Sequence, residues 1–134
     1  MKIVMFGAGG VGGYFGGRLA AAGVDVAFVA RGGHLEAIRR DGLRIASPKG
    51  DVHLTGIRAS ADPADLGPAD VVFLTVKMYD VDTAASALRP LLGPDTMVVT
   101  LQNGVEATDM VARRIGREHV AGGVAYVAAV IGAP

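Results

Sequence analysis

Short runs of apolar and β-branched residues alternate along this chain with longer stretches of helical periodicity. The first run spans Lys2 to Phe6, and it is followed by a stretch from about Gly10 to Ala22 in which apolar residues recur on one helix face. A second apolar run covers Asp25 to Ala30. This alternation predicts parallel strands that are joined by crossover helices.

The rest of the chain repeats the pattern with one insertion. Leu43 to Ala46 and Val52 to Ile57 flank the turn-forming segment Ser47 to Asp51, which predicts an antiparallel pair. The run Asp70 to Val76 predicts a strand that is buried on both faces. Helices are further predicted over 34–40, 79–92 and 105–115, strands over 97–101 and 120–124, and a single helical turn within 62–68. We therefore expect an α/β fold: a Rossmann-type, doubly wound, mainly parallel sheet.

A glycine-rich turn stands between the first strand and the first helix. It reads Gly7-Ala8-Gly9-Gly10-Val11-Gly12. The spacing alone is weak, because 20 of the 134 residues are glycine, but its place between a strand and a helix is the one that dinucleotide-binding sites require. There the backbone N–H groups and the positive end of the helix dipole face a pyrophosphate. The turn therefore predicts pyrophosphate binding.

The end of the second strand bears on which dinucleotide is bound. NAD sites commonly place an acid there for the ribose 2′-hydroxyl, whereas NADP sites offer a cation to the 2′-phosphate. Residues 30–34 contain no carboxylate, and Arg31 carries a planar, permanently charged guanidinium. This pattern favours NADP, the alternative being that Arg31 is a solvated charge at a strand end.

Composition narrows the class of protein. The 134 residues suit one domain, and the 13 basic residues balance the 13 acidic ones, so charge points neither to nucleic acid nor to an anionic membrane. Cysteine is absent, and no apolar stretch reaches the about 18 residues that a membrane span needs. We expect a cytoplasmic protein. The chain stops at Pro134 just after a predicted strand, which favours a domain of a longer polypeptide.

Several motifs in register resemble a known family. The stretch Phe6 to Leu19 is followed by Val29-Ala30-Arg31-Gly32, His34-Leu35, Gly42-Leu43, Thr75-Val76-Lys77 and Leu101-Gln102-Asn103-Gly104-Val105. Together they resemble the N-terminal half of the ketopantoate reductase family, the 2-dehydropantoate 2-reductases. The resemblance extends over essentially the whole chain.

The resemblance implies roles for individual residues. It implies that NADPH is held at its pyrophosphate by Gly7, Ala8, Gly9, Gly10, Val11 and Gly12, and at its 2′-phosphate by Arg31. Lys77 would lie beside the cofactor, Asn103 would contact both the nicotinamide end and the substrate, and Ala129 would line the nicotinamide pocket. Lys77 and Asn103 both follow predicted parallel strands, where ligands bind in such sheets. The alternatives are a surface lysine and an Asn-Gly turn chosen for its backbone geometry.

The resemblance also implies an activity that this chain holds only in part. It implies NADPH-dependent reduction of a 2-keto acid, ketopantoate to pantoate, in pantothenate and coenzyme A biosynthesis. The proton-donating lysine and most substrate contacts would belong to a C-terminal helical domain beyond residue 134. Residues 1–134 would form the NADP-binding domain, inactive alone, and we assign it no catalytic residue and no metal site.

Other functions remain open from sequence. One is the corresponding half of a hydroxy-acid or opine-type dehydrogenase, and another is an NADP-binding module without catalysis. The expected partner is a small-molecule 2-keto acid, bound together with the second domain, rather than nucleic acid or membrane. A homodimer is also left open.

Overall fold

The computed structural model describes residues 1–77, 80–102 and 106–122. Its strands are β1 (Lys2–Phe6), β2 (Asp25–Val29), β3 (Leu43–Ile45), β4 (Val52–Leu54), β5 (Arg58–Ser60), β6 (Ala69–Leu74), β7 (Leu92–Thr100) and β8 (Val120–Gly122), and its helices are α1 (Gly10–Ala21), α2 (Gly32–Asp41), α3 (Val81–Ser86) and α4 (Glu106–Ile115). Single 3-10 turns lie at Pro63–Asp65, Arg89–Leu91 and Arg117–His119.

Six strands form one parallel sheet. Their order is β5-β2-β1-β6-β7-β8, and each neighbouring pair runs in the same direction. The chain proceeds outward from β1 through β2 to β5, then returns to the centre and proceeds outward through β6, β7 and β8. This reversal between β1 and β6 makes the sheet doubly wound, as predicted, and creates the crevice where such folds bind ligands.

Two apolar cores cover the two faces of the sheet. Along β1, Val4 and Phe6 belong to one core, and Ile3 and Met5 belong to the other, which is the alternation that a strand imposes. The first core includes side chains of α3 and α4, among them Val81, Ala84, Val111 and Ile115. The second includes Phe15 and Leu19 of α1 and Leu35 and Ile38 of α2. The helices thus lie on both faces.

The predicted antiparallel insertion is confirmed as a separate two-stranded sheet. β3 pairs with β4 so that Leu43 stands opposite Leu54. Leu43 joins the core beneath α1 and α2, and the guanidinium of Arg18 on α1 donates to the carbonyl oxygen of Gly50 in the connecting loop at 2.7 Å. The insertion is therefore fastened to α1 rather than to the main sheet.

The predicted strand Val52 to Ile57 was wrong in length, and the strand that follows it was not predicted. The second insertion strand ends at Leu54 instead of Ile57, and Arg58–Ser60 forms β5, which pairs in parallel with β2. The Ala30 N–H extends this pairing by donating to the Ser60 carbonyl at 3.0 Å. β5 has only three residues of mixed polarity, which is too short for a strand periodicity to be recognised. It is identified as a strand only by its pairing with β2.

The predicted helix over 79–92 was also wrong in length. Residue 79 lies outside the described residues, α3 ends at Ser86, and β7 already begins at Leu92. Pro90 lies in the 3-10 turn between them, and a proline cannot supply the N–H that a continuing α-helix requires. The segment Gly93-Pro94, predicted as a helix stop, therefore lies inside β7.

The expectation that β6 is buried on both faces holds for one face only. Val72 and Leu74 are fully buried, whereas Val71 and Phe73, which point to the other face, are only partly buried. Other boundaries shift slightly, with α2 beginning at Gly32 rather than His34. Residues 123 and 124 of the predicted last strand and residue 105 of the predicted last helix lie outside the described part.

Leu88, between α3 and the 3-10 turn Arg89–Leu91, tests the packing of this connection in the first core. Its side chain is fully buried in the first core, so Leu88→Ala should lower the free energy of unfolding by about 2–5 kcal/mol through lost contacts and a residual cavity. Leu88→Met preserves volume and should cost less than about 1.5 kcal/mol. Urea unfolding measures both. Equal losses for the two variants would contradict tight packing at this position.

Candidate dinucleotide-binding site

The register of the sheet brings several chain segments to one edge. Phe6 of β1 stands opposite Val29 of β2 and Leu74 of β6, and Leu74 in turn stands opposite Thr100 of β7. Since these residues close their parallel strands, the segments that follow them leave the sheet side by side. We call the edge of the sheet where these strands end the carboxyl edge. It carries the glycine turn, Arg31, Lys77 and the segment after β7.

The glycine turn joins β1 to α1 without a side-chain cap. Gly7 has φ 118°, in the region that favours glycine, and its N–H donates to the Val29 carbonyl at 3.0 Å. The Gly13 N–H donates to Gly9 at 2.7 Å, and the N–H groups that precede it in α1 have no partner within the helix. No acidic residue lies in the first turn of α1. This helix start can therefore accept an anion.

Thr75 locks the turn to the neighbouring strand. Its hydroxyl donates to the Gly7 carbonyl oxygen at 2.9 Å, and its backbone N–H donates to the Phe6 carbonyl at 3.0 Å. From sequence, Thr75 is only one residue of the motif Thr75-Val76-Lys77, and no role is predicted for it. The adjacency of β1 and β6 is what brings it to the turn, so that signal is absent from the local sequence.

Gly12 allows the turn to close tightly. A Cβ at this position would overlap the Gly7 carbonyl oxygen and would lie 2.5 Å from the Thr75 hydroxyl oxygen. Any side chain would therefore push α1 away from the end of β1. Close packing of helix on strand is the role that the last glycine of such a turn has in dinucleotide-binding folds.

Arg31 follows β2 and lies at the start of α2. Its side chain is 80% exposed, and its Nη2 lies 3.5 Å from a carboxylate oxygen of Asp80, which follows β6. Residues 30–34 contain no acid, but the fold places Asp80, which is 49 residues away in the sequence, beside Arg31. Sequence reasoning missed Asp80, since only the strand order reveals this proximity.

Lys77 and Gln102 lie at the ends of the central strands. Lys77 is exposed, and its carbonyl oxygen accepts the Asp80 N–H at 2.8 Å. The side-chain Nε2 of Gln102 donates to the carbonyls of Leu74 and Val76 at 2.9 and 2.8 Å, and its buried Oε1 has no hydrogen-bond partner among the described residues. Gln102, also unassigned from sequence, thus ties the segment after β7 to the segment that carries Lys77.

Two predicted site residues cannot be placed. Asn103 and Ala129 lie outside the described residues, so their roles stay predictions. Within the described ranges, no group of three or more His, Cys, Asp or Glu side chains is arranged to hold a metal ion, and none of the helices there is long and apolar enough to cross a membrane.

Neighbouring side chains shift the pKa of one residue on α1 and of one residue at the end of α2. The nearby Arg18 side chain, and after it Ser47, lowers the pKa of the Tyr14 phenol, and the Arg18 guanidinium carbon lies 5.5 Å from the centroid of that ring. At the end of α2, a hydrogen bond from Arg40 lowers the pKa of Asp41.

The parallel sheet with flanking helices and a glycine turn at its carboxyl edge defines a Rossmann-like α/β domain. Residues 3–134 match the family described as ketopantoate reductase PanE/ApbA. The chain belongs to this family and corresponds to its N-terminal domain.

Individual relatives agree with the family match. The chain is 41% identical to a 2-dehydropantoate 2-reductase of Mesorhizobium japonicum, over all of this chain and 47% of that protein. Among solved structures, a PanE/ApbA family ketopantoate reductase from Ralstonia eutropha superposes with a TM-score of 0.91 at 41% identity, and 2-dehydropantoate 2-reductase from Porphyromonas gingivalis with 0.90 at 36%. Both matches cover all of this chain, but only 44% and 49% of those chains. The chain thus spans about half the length of these relatives.

Gly12→Ala tests the close contact in the glycine turn. We expect weaker binding of both NADPH and NADH, with lower stability, because the new Cβ meets the Gly7 carbonyl oxygen. Gly33→Ala is the matched control, since no atom lies within 4 Å of its added Cβ and Gly33 lies in α2. Calorimetric titration and thermal unfolding compare the two variants. Unchanged cofactor binding in Gly12→Ala would contradict the tight turn.

Proposed function

We propose that this chain is the NADPH-binding half of an oxidoreductase that reduces a 2-keto acid, converting ketopantoate to pantoate in pantothenate and coenzyme A biosynthesis. The observation that carries the proposal is the glycine turn at the reversal between β1 and β6, with Arg31 on one side and Lys77 on the other. The relatives named 2-dehydropantoate 2-reductase support this choice of substrate.

The described residues fit the phosphates of a dinucleotide. The start of α1 offers N–H groups with no acidic residue in the first turn, and the absence of a Cβ at Gly12 lets the turn stay closed under the clamp of Thr75. In this proposal the main chain of Gly7, Ala8, Gly9, Gly10, Val11 and Gly12 holds the pyrophosphate. The exposed guanidinium of Arg31 pairs with the 2′-phosphate, for which its fork of N–H donors is suited.

The remaining contacts belong to the nicotinamide end. When bound, NADPH supplies a hydride to the keto carbon. In this proposal Lys77 lies beside the cofactor, Asn103 orients the nicotinamide and the substrate together, and Ala129 lines the nicotinamide pocket. The hydrogen bonds from Gln102, the residue before Asn103, to the carbonyls of Leu74 and Val76 support this arrangement, because they place Gln102 beside the segment that carries Lys77.

The protonation half of the reaction is assigned to a further domain. Hydride addition to a keto carbon creates an alkoxide that needs a proton donor and charge stabilisation. We assign the donor to a C-terminal helical domain beyond residue 134, and the fact that this chain spans 47% of the Mesorhizobium japonicum relative supports that assignment. A cytoplasmic location belongs to the same proposal.

Arg31→Ala tests recognition of the 2′-phosphate. A hydrogen bond to a charged group is worth roughly 1.5–3 kcal/mol, so NADPH affinity should fall about 10- to 100-fold while NADH affinity stays nearly unchanged. Arg113→Ala, which removes an exposed arginine from α4, should alter neither. Calorimetric titration of both cofactors decides the matter, and equal losses for NADPH and NADH in Arg31→Ala would refute the role.

Catalytic incompleteness is tested by comparing two lengths of polypeptide. Residues 1–134 alone should not oxidise NADPH in the presence of ketopantoate, because no proton donor is assigned within them. The native polypeptide that contains this chain should do so. An NADPH absorbance assay reports both results, and turnover by residues 1–134 alone would overturn the assignment of the proton donor to a further domain.

A further inference from the structure

Asp80 occupies the N-cap position of α3 without capping it. Aspartate at this position ordinarily accepts a hydrogen bond from a backbone N–H of the first helical turn, but the Asp80 side chain makes no such bond. Its carboxylate instead lies 3.5 Å from the Arg31 guanidinium. The Asp80 side chain is 27% exposed, while that of Arg31 is 80% exposed. The carboxylate is thus the more sheltered partner, and it is directed toward the arginine.

The Arg31–Asp80 pair spans the carboxyl end of β1. Arg31 follows β2 and Asp80 follows β6, and these strands lie on either side of β1, which leads into the glycine turn. NAD-type sites commonly take an acid from the end of the second strand to bind the ribose 2′-hydroxyl. Residues 30–34 contain none, yet the fold delivers a carboxylate to Arg31 from the β6 side.

We propose that Asp80 is a specificity-determining residue that lowers the preference for NADPH over NADH below the level that Arg31 alone would confer. The inference rests on the proposed function, because it concerns the 2′-position of the same cofactor. Asp80 pairs with Arg31 when no 2′-phosphate is bound, and it opposes a phosphate that approaches the guanidinium.

Charge explains the direction of the effect. A phosphate monoester carries about −1.5 to −2 charges near neutral pH, so an adjacent carboxylate repels it and competes with it for the guanidinium. The 2′-hydroxyl of NADH carries no charge and can donate to a carboxylate. Asp80 therefore penalises NADPH and tolerates NADH. Because Arg31 is exposed, solvent and salt limit the penalty to a modest factor.

Substitution of the carboxylate measures this penalty. In the native polypeptide that contains this chain, Asp80→Asn should tighten NADPH binding about three- to tenfold and should not tighten NADH binding. Raising the ionic strength should shrink the gain, because it arises between partly exposed charges. Calorimetric titration with NADPH and NADH, at low and high salt, provides all four affinities.

Asp82→Asn is the matched control. Asp82 lies on the same short helix, but its carboxylate pairs with Arg114 at 3.0 Å instead of Arg31, so its removal should leave the NADPH to NADH ratio unchanged. Asp80→Ser serves as a second variant, because serine removes the charge and keeps a residue type suited to the N-cap. If Asp80→Asn is too unstable for titration, Asp80→Ser should show the same tighter binding of NADPH.

The outcomes separate this inference from the proposed function. Tighter NADPH binding in the Asp80 variants, lost at high salt, supports the inference. Unchanged or weaker NADPH binding in both variants overturns it, and weaker binding would mean that Asp80 aligns Arg31 for the phosphate. If Arg31→Ala weakens NADPH binding while the Asp80 variants change nothing, only this inference fails. If the unsubstituted protein binds no NADPH, the proposed function fails.

Discussion

The hydrogen bond from the Thr75 hydroxyl to the Gly7 carbonyl oxygen, at 2.9 Å, joins the three parts on which the site depends. It connects the end of β6 to the turn after β1, and the same carbonyl lies against the Cα of Gly12 at the start of α1. The hydrogen bond and this close contact together fix the distances between β6, the glycine turn and α1. The N–H groups at the start of α1 gain their orientation toward an anion from this spacing rather than from a capping side chain.

The close approach of α1 has an energetic cost that tertiary packing offsets. Four buried glycines lie in this helix, Gly12, Gly13, Gly16 and Gly17, and each glycine costs a helix about 1 kcal/mol relative to alanine. Such a helix would be unstable in isolation. Burial of Phe15 and Leu19 against the core that contains Met5 and Phe28 holds it on the sheet. The glycine turn at the start of α1 and the hydrophobic core therefore depend on each other.

The carboxyl edge carries two opposed electrostatic features. The start of α1 and the exposed Arg31 present positive charge, while Asp80 places a negative charge beside Arg31. In the function proposed above, the choice between NADPH and NADH therefore depends on the balance of these two charges and not on Arg31 alone. The carboxylate belongs to the residue that precedes α3, so the half of the fold that follows the reversal at β6 reaches Arg31 in the half before it.

The amino-acid sequence by itself determined β1, the glycine turn and α1, because an apolar run, a fixed glycine spacing and a helical period are all local signals. It also determined the β3–β4 insertion through its turn residues. Only the tertiary structure decided that Arg58–Ser60 pairs with β2, that Thr75 clamps Gly7, and that Asp80 meets Arg31. These contacts join residues far apart in the chain, and parallel strands connected by crossovers leave no mark of their pairing in the intervening sequence.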